Sequence, residues 1–168
     1  IENNEPYKGY WKRSEDRILE SFKELSKKRS SSTLLDIGTG NARLIHRFER
    51  YFKRITLIEP DQERLRIAKS KLESSPKITF LNSTFLYSDI PSNSFDMVLC
   101  SHVLQLVSTS NLNAFVDKLY DVLKPGGTCA ILTCHSRQRN DSYHKTFINY
   151  SDIKVSKISR DEFNRLRI

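Results

Sequence analysis

Apolar residues fall into two kinds of block along this chain. Short continuous runs are "TLLDI" (33–37), "RITLIE" (54–59), "KITFL" (77–81), "SFDMVLCS" (94–101) and "TCAILT" (128–133). They lack the polar alternation of a half-exposed strand, so they read as strands covered on both faces. Between them apolar positions recur at helical spacing. Leu44, Ile45, Phe48 and Phe52 predict a helix over 42–52. Leu65, Ala68 and Leu72 predict another, with Pro60 suited to its first turn. Leu112, Phe115, Val116, Leu119 and Leu123 predict a third, capped by Ser110 and stopped by "KPGG" (124–127). Ile18, Phe22 and Leu25 predict an earlier helix over 14–28, with Glu15 and Asp16 where the helix dipole favours acids.

Strand and helix therefore alternate five times. The expected fold is α/β, a doubly wound, mostly parallel, Rossmann-like sheet with helices on both faces. Ligands in such sheets sit beyond the carboxyl ends of the strands, so the residues just after each strand are the candidates for chemistry. The expected organisation is an N-terminal helical or lid segment (1–32), a core (33–134) and a C-terminal segment (135–168). "KKRSSS" (27–32) separates the first two.

The C-terminal segment breaks the pattern. "SRQRNDSYHK" (136–145) is polar, "DIKVSKI" (152–158) alternates like a strand, and Ser159 with Glu162 has the spacing of a capping box. A helix opening so near Ile168, and a start at Ile1 rather than Met, suggest a piece of a longer chain whose last strands lie elsewhere. The edge beside the fifth strand would then be unpaired and prone to self-association.

Composition narrows the class. The 168 residues suffice for one domain with a sizeable core. Apolar residues make up 38% and no stretch is continuous enough to span a membrane. Cys100, Cys129 and Cys134 are odd in number and lack disulfide spacing, which favours reduced thiols and a cytoplasmic setting. Their spacing with His102 and His135 matches no common zinc pattern, so no metal is expected. The net charge of +8 is densest over 135–168, where eight Lys/Arg face four Asp/Glu. That permits a nucleic-acid partner, although a solvated basic surface is the simpler explanation.

The turn "DIGTGNA" (36–42) carries the first specific chemistry. Gly38 and Gly40 permit a tight strand-to-helix turn and close approach of a ligand to the backbone. A dinucleotide fingerprint would place a third glycine at Arg43 and would not favour an acid two residues before the first glycine. Asp36 instead suits a ligand with a cationic or donor group, or caps the turn. Glu59, twenty-three residues further on at a strand end, offers two oxygens in a fork to a ribose.

With these residues in hand, "LLDIGTGNA", "ITLIEPDQERLRIAK", "SFDMVLCSHVLQLV" and "LYDVLKPGGTCAIL" resemble, in order, the motifs of class I S-adenosylmethionine-dependent methyltransferases. The resemblance spans about residues 33–133. It implies S-adenosylmethionine as cofactor, with S-adenosylhomocysteine as product. Gly38 and Gly40 would lie under the methionine part, with Asp36 near its ammonium or in a supporting hydrogen-bond network. Glu59 would hold the ribose, Pro60 would pack on the adenine, and Ser83, Thr84 and Phe85 would frame the adenine edge. Ser101 and His102 would face methionine and substrate. Two departures stand out: Ala42 replaces a small glycine of many relatives, and Thr84 replaces an aspartate that bonds the adenine amino group.

The plan around "SHVLQLV" is similar to the small-molecule branch of the family, which implies methyl transfer to an O, N or C atom of a small molecule. The sequence lacks the Asn/Asp-Pro-Pro-Tyr/Phe motif of exocyclic-amine methylation, and no proline precedes Cys100 as in cytosine C5 enzymes. The alternatives are an RNA or protein methyltransferase using the basic tail, and a non-catalytic methyltransferase-like domain of a larger assembly. A general base is needed only where the acceptor keeps its proton near neutral pH; His102 and His135, each after a strand, are the candidates. The aromatic "PYKGYWKR" (6–13) reads equally as a lid or as an anchor on the sheet edge.

Overall fold

The computed structural model describes residues 16, 20, 22–25, 27, 32–47, 49–72, 75–136 and 148–156, with backbone alone for 133–136 and 148–156. The aromatic segment at 6–13, the polar stretch 137–147 and the capping box at Ser159 lie outside the described residues.

Six strands form one sheet: β1 (Thr33–Ile37), β2 (Arg54–Ile58), β3 (Ile78–Leu81), β4 (Phe95–Ser101), β5 (Leu123–Ser136) and β6 (Ile148–Ser156), in the order β3-β2-β1-β4-β5-β6. The first five are parallel and β6 runs antiparallel to β5. The chain begins in the middle of the sheet, winds outward through β2 and β3, and crosses back to β4. That reversal leaves a crevice beyond the ends of β1 and β4, where such folds hold their ligands.

Alternate residues of each strand point to opposite faces, so each face has its own core. On one face Leu34, Leu57, Met97, Leu99 and Leu132 pack with Phe22, Ile45 and Phe52 and with Ala68 and Leu72 of helix α1 (Gln62–Leu72). On the other, Leu35, Ile37, Val98 and Ile131 pack with Phe115, Leu119 and Val122 of helix α2 (Thr109–Val122). The doubly wound α/β expectation holds. Residues 16, 20, 22–25 and 27 are helical, as the 14–28 pattern predicts.

Five local expectations change. Residues 42–52 form no α-helix but turns and two 3-10 helices, Ile45–Arg47 and Glu49–Tyr51. Ala42 has φ +60°, a left-handed conformation that an α-helix cannot contain. Ile45 and Phe52 are still buried, because burial needs the spacing and not the α backbone. Helix α1 begins after Pro60, capped by Asp61, whose Oδ1 accepts from the backbone N–H of Glu63 and Arg64 at 3.0 Å each. The N-cap of α2 is Ser108, not Ser110, and its side chain makes no capping bond. Leu123 leaves the helix to open β5, and β6 pairs with β5 from Thr128↔Ser156 to Ser136↔Ile148. The expected open edge beside the fifth strand is thus covered.

Candidate active site

Three adjacent strands deliver the site. At the end of β1, the backbone N–H groups of Gly38 and Thr39 both donate to Ile58 O of β2, at 2.8 and 3.0 Å. The turn is thereby folded over the end of β2. Gly38 has φ +68°, and a Cβ there would lie 2.3 Å from Val103 Cγ2. Val103 follows β4, so a side chain at residue 38 would expel the post-β4 segment. Gly40, at φ +58°, differs: a Cβ there would meet nothing within 4 Å. One glycine makes room for the protein, and the other leaves space open.

Glu59 is buried, with 5% exposure, just after β2. Its Oε2 accepts from the Gly40 N–H at 2.8 Å and its Oε1 from the Asp61 N–H at 3.1 Å. Two backbone groups therefore aim the carboxylate. A carboxylate offers about four lone-pair directions, so each oxygen can still accept a hydroxyl. Pro60 beside it is exposed. Asn82, after β3, donates from Nδ2 to the carbonyls of Glu59 and Pro60 at 2.9 and 3.0 Å. The post-β3 loop is thus fastened to the segment that carries Glu59.

Asp36, in β1, is 3% exposed. Burial pushes its pKa from 3.8 up to about 7, and the Glu59 charge adds to the rise. The Thr39 hydroxyl favours the carboxylate in part, yet its geometry falls short of a hydrogen bond. Thr39 Oγ1 is left buried with no partner among the described residues, and so is Ser101 Oγ at the end of β4. Buried polar atoms of this kind mark places where a ligand can supply the missing bond. The open space at Gly40, the aimed Glu59 and these two hydroxyls fit a ligand that combines a ribose with a polar, partly cationic group.

Other expected site residues take different places. Thr84 is exposed in the post-β3 loop, but Phe85 turns inward. Its ring is 4% exposed and packs edge-on against Phe115, with centroids 5.0 Å apart. Phe85 therefore supports the rim from beneath, and its ring does not line it. His102 is half-buried with φ +58°, and its N–H donates to Leu132 O at 2.7 Å. His135 lies in β5 opposite Asn149, and its side chain is outside the described part. The Cys100 thiol is pushed up to about 12 by burial, with the Asp36 charge adding and the Leu104 N–H opposing. Held neutral, it is no nucleophile at neutral pH. Lys118 of α2, unmarked by any sequence motif, reaches the post-β3 loop with three hydrogen bonds.

Comparison with known proteins bears on the fold and the family. An uncharacterised methyltransferase of Mycobacterium tuberculosis is 27% identical over 132 residues, 78% of this chain and 64% of that protein. The phosphoethanolamine N-methyltransferase of Plasmodium falciparum is 26% identical over 121 residues, 71% of this chain and 45% of that protein. The chain thus spans less than two thirds of the length of each. The crystal structure of the N-methyltransferase NodS from Bradyrhizobium japonicum, in complex with S-adenosyl-L-homocysteine, matches with a TM-score of 0.64 at 17% identity. That match covers 78% of this chain and 64% of NodS, and it shows the shared fold. The family profile described as methyltransferase domain matches residues 35–131, more than half of the sequence. The chain belongs to the methyltransferase domain family.

Proposed function

We propose that this protein is an S-adenosylmethionine-dependent methyltransferase that methylates an oxygen, nitrogen or carbon atom of a small molecule by in-line displacement. The observation that carries the reading is Glu59. It is buried at a strand end, aimed by the N–H groups of Gly40 and Asp61, and set beside a glycine turn with open space above it. Glu59 would hold the ribose and exposed Pro60 and Thr84 the adenine. Asp36, Thr39 and Ser101 would receive the amino-acid end. When bound, the cofactor supplies a methyl group already activated on a sulfonium sulfur.

What the chain adds is alignment and exclusion of water. Asp36 is well suited to the ammonium, since an arriving cation favours the charged carboxylate that burial disfavours. Where the acceptor keeps its proton, as a hydroxyl does, His102 is our candidate base. The small-molecule class is supported by the names of similar proteins, a phosphoethanolamine N-methyltransferase and a ubiquinone biosynthesis O-methyltransferase of mouse. Among the described residues no helix is long and apolar enough to cross a membrane. The buried, unbridged Cys100 and Cys129 support a reducing compartment such as the cytoplasm.

Calorimetric titration tests this reading. S-adenosylmethionine and S-adenosylhomocysteine should bind with micromolar affinity and NAD should not. Binding of NAD alone, or of neither adenosyl compound, would overturn it.

A further inference from the structure

The post-β3 loop, residues 82–88, is held at both ends by different means. At its start Asn82 ties it to Glu59 and Pro60. Its far end folds into a tight turn, with the Tyr87 N–H donating to Thr84 O and Ser88 Oγ donating to Phe85 O at 2.7 Å. The carbonyls this turn leaves over meet one cation. Lys118 Nζ, on the third turn of α2, donates to Leu86 O at 3.0 Å, Ser88 O at 2.5 Å and Ser88 Oγ at 3.4 Å. An ammonium has three donors, and one loop takes all three. The same Nζ stands 5.2 Å from the centroid of the Phe85 ring, close enough for attraction between cation and ring.

Lys118 therefore grips the loop through backbone carbonyls and through the residue after Thr84. Helix α2 also follows directly on the post-β4 segment. One side chain thus fastens the post-β3 loop to the helix that follows the post-β4 segment. A surface lysine commonly leaves its ammonium in water. Here the head is turned onto protein, against the Leu86 and Ser88 carbonyls and the Phe85 ring.

We infer that Lys118 is a positioning residue, which sets the place of Thr84 and of the post-β3 loop and so governs how the site discriminates the base of its nucleoside ligand. The inference rests on the reading of the site given above. A ribose held at Glu59 puts its base beyond β2, toward β3, and the loop after β3 is the nearest wall. Loosening that wall weakens contacts to the base edge, while Glu59 and the glycine turn stay in place.

The test titrates S-adenosylhomocysteine and its deaminated analogue, S-inosylhomocysteine, into the wild-type chain, Lys118→Met and Lys118→Arg. Methionine keeps the apolar stem and removes the donors. Lys118→Met should lose about tenfold in affinity for S-adenosylhomocysteine and less for the inosyl compound, so the ratio of the two affinities falls. Lys118→Arg should restore most of the ratio. Thermal melting of each variant checks folding. General loosening would weaken both ligands alike and leave the ratio at the wild-type value, and that result overturns the inference. If Lys118→Met does not fold, Lys118→Gln takes its place, and an unchanged ratio in it and in Ser88→Ala, which removes one acceptor, overturns the inference too. Absence of adenosyl binding in the wild type would overturn the functional reading, and this inference with it.

Discussion

Two aspartates on neighbouring strands show how differently the ends of the sheet are built. Asp96 opens β4 at the amino end. Its Oδ2 accepts from the Thr33 N–H at 2.8 Å, the Thr33 hydroxyl at 2.9 Å and Lys124 Nζ at 2.9 Å. Burial alone would raise its pKa, but these partners outweigh that and hold it below the usual aspartate value. Asp36 closes β1 at the carboxyl end. Among the described residues no ion pair holds it, and burial drives its pKa up to about 7. Backbone conformation shows a related contrast. At the amino end the left-handed positions fall on Asn93 and Gly126, types that tolerate them, whereas at the carboxyl end Ala42 and His102 join Gly38 and Gly40 there. The amino end is arranged for stability. The carboxyl end holds polar groups in states that cost stability.

The largest expected effect breaks this contrast at Asp36. A carboxyl whose pKa rises from 3.8 unfolded to about 7 folded destabilises the fold when ionised. Its contribution is most favourable below pH 4, declines as pH rises toward 7, and is lost above that. The rise corresponds to about 4 kcal/mol at most. Asp36→Asn should therefore melt higher than the wild type at pH 8, and the gap should close toward pH 4. The same variant should bind S-adenosylhomocysteine at least tenfold more weakly. In the wild type, affinity should fall as pH drops from 8 to 6, because Asp36 must release its proton to meet a cation. A variant no more stable at pH 8 would mean that the site already satisfies Asp36.

Asp96 provides the opposite case. Asp96→Ala strands the Thr33 N–H and the Lys124 ammonium, a loss of about 1–3 kcal/mol. Its depressed pKa makes the wild-type contribution present above about pH 4 and lost as pH falls through the folded value. The variant should thus be less stable at pH 7, with the difference shrinking in acid, while S-adenosylhomocysteine affinity stays within twofold. A large loss of affinity at unchanged stability would show that the two ends are not separable.

Much of this was legible in the sequence, and the failures have physical causes. The strand positions follow from continuous apolar runs that only a doubly covered sheet requires, and the runs at 33–37 and 77–81 lie within a residue of the observed strands. Glu59 stood out because it ends a strand. The bonds that aim it did not, since they need the β1 turn folded over β2, a contact between residues 19 apart. The inward turn of the Phe85 ring was hidden because the sequence around it, "NSTFLYSD", reads as polar loop, and its partner Phe115 lies thirty residues on. Lys118 carried no signal at all: in a helix of mixed polarity, a lysine that grips carbonyls looks like one in solvent.

The smallest expected effect concerns Ala42, and it tests whether the carboxyl end stores backbone strain. A non-glycine residue in the left-handed region costs roughly 1–2 kcal/mol. Replacing it by glycine removes that cost, gives up a buried methyl worth about 0.8 kcal/mol, and adds freedom to the unfolded chain worth roughly 0.4–1 kcal/mol. The terms nearly cancel, so Ala42→Gly should leave stability within about 1 kcal/mol of the wild type. Ala68 is the control: it is equally buried, but in the middle of α1, where glycine relieves nothing. Ala68→Gly loses the methyl and about 1 kcal/mol of helix propensity. Denaturant unfolding of the two variants should differ by roughly 1–2 kcal/mol in favour of Ala42→Gly. Equal losses would mean that the turn relaxes without strain, and that the contrast between the two ends lies in their carboxylates alone.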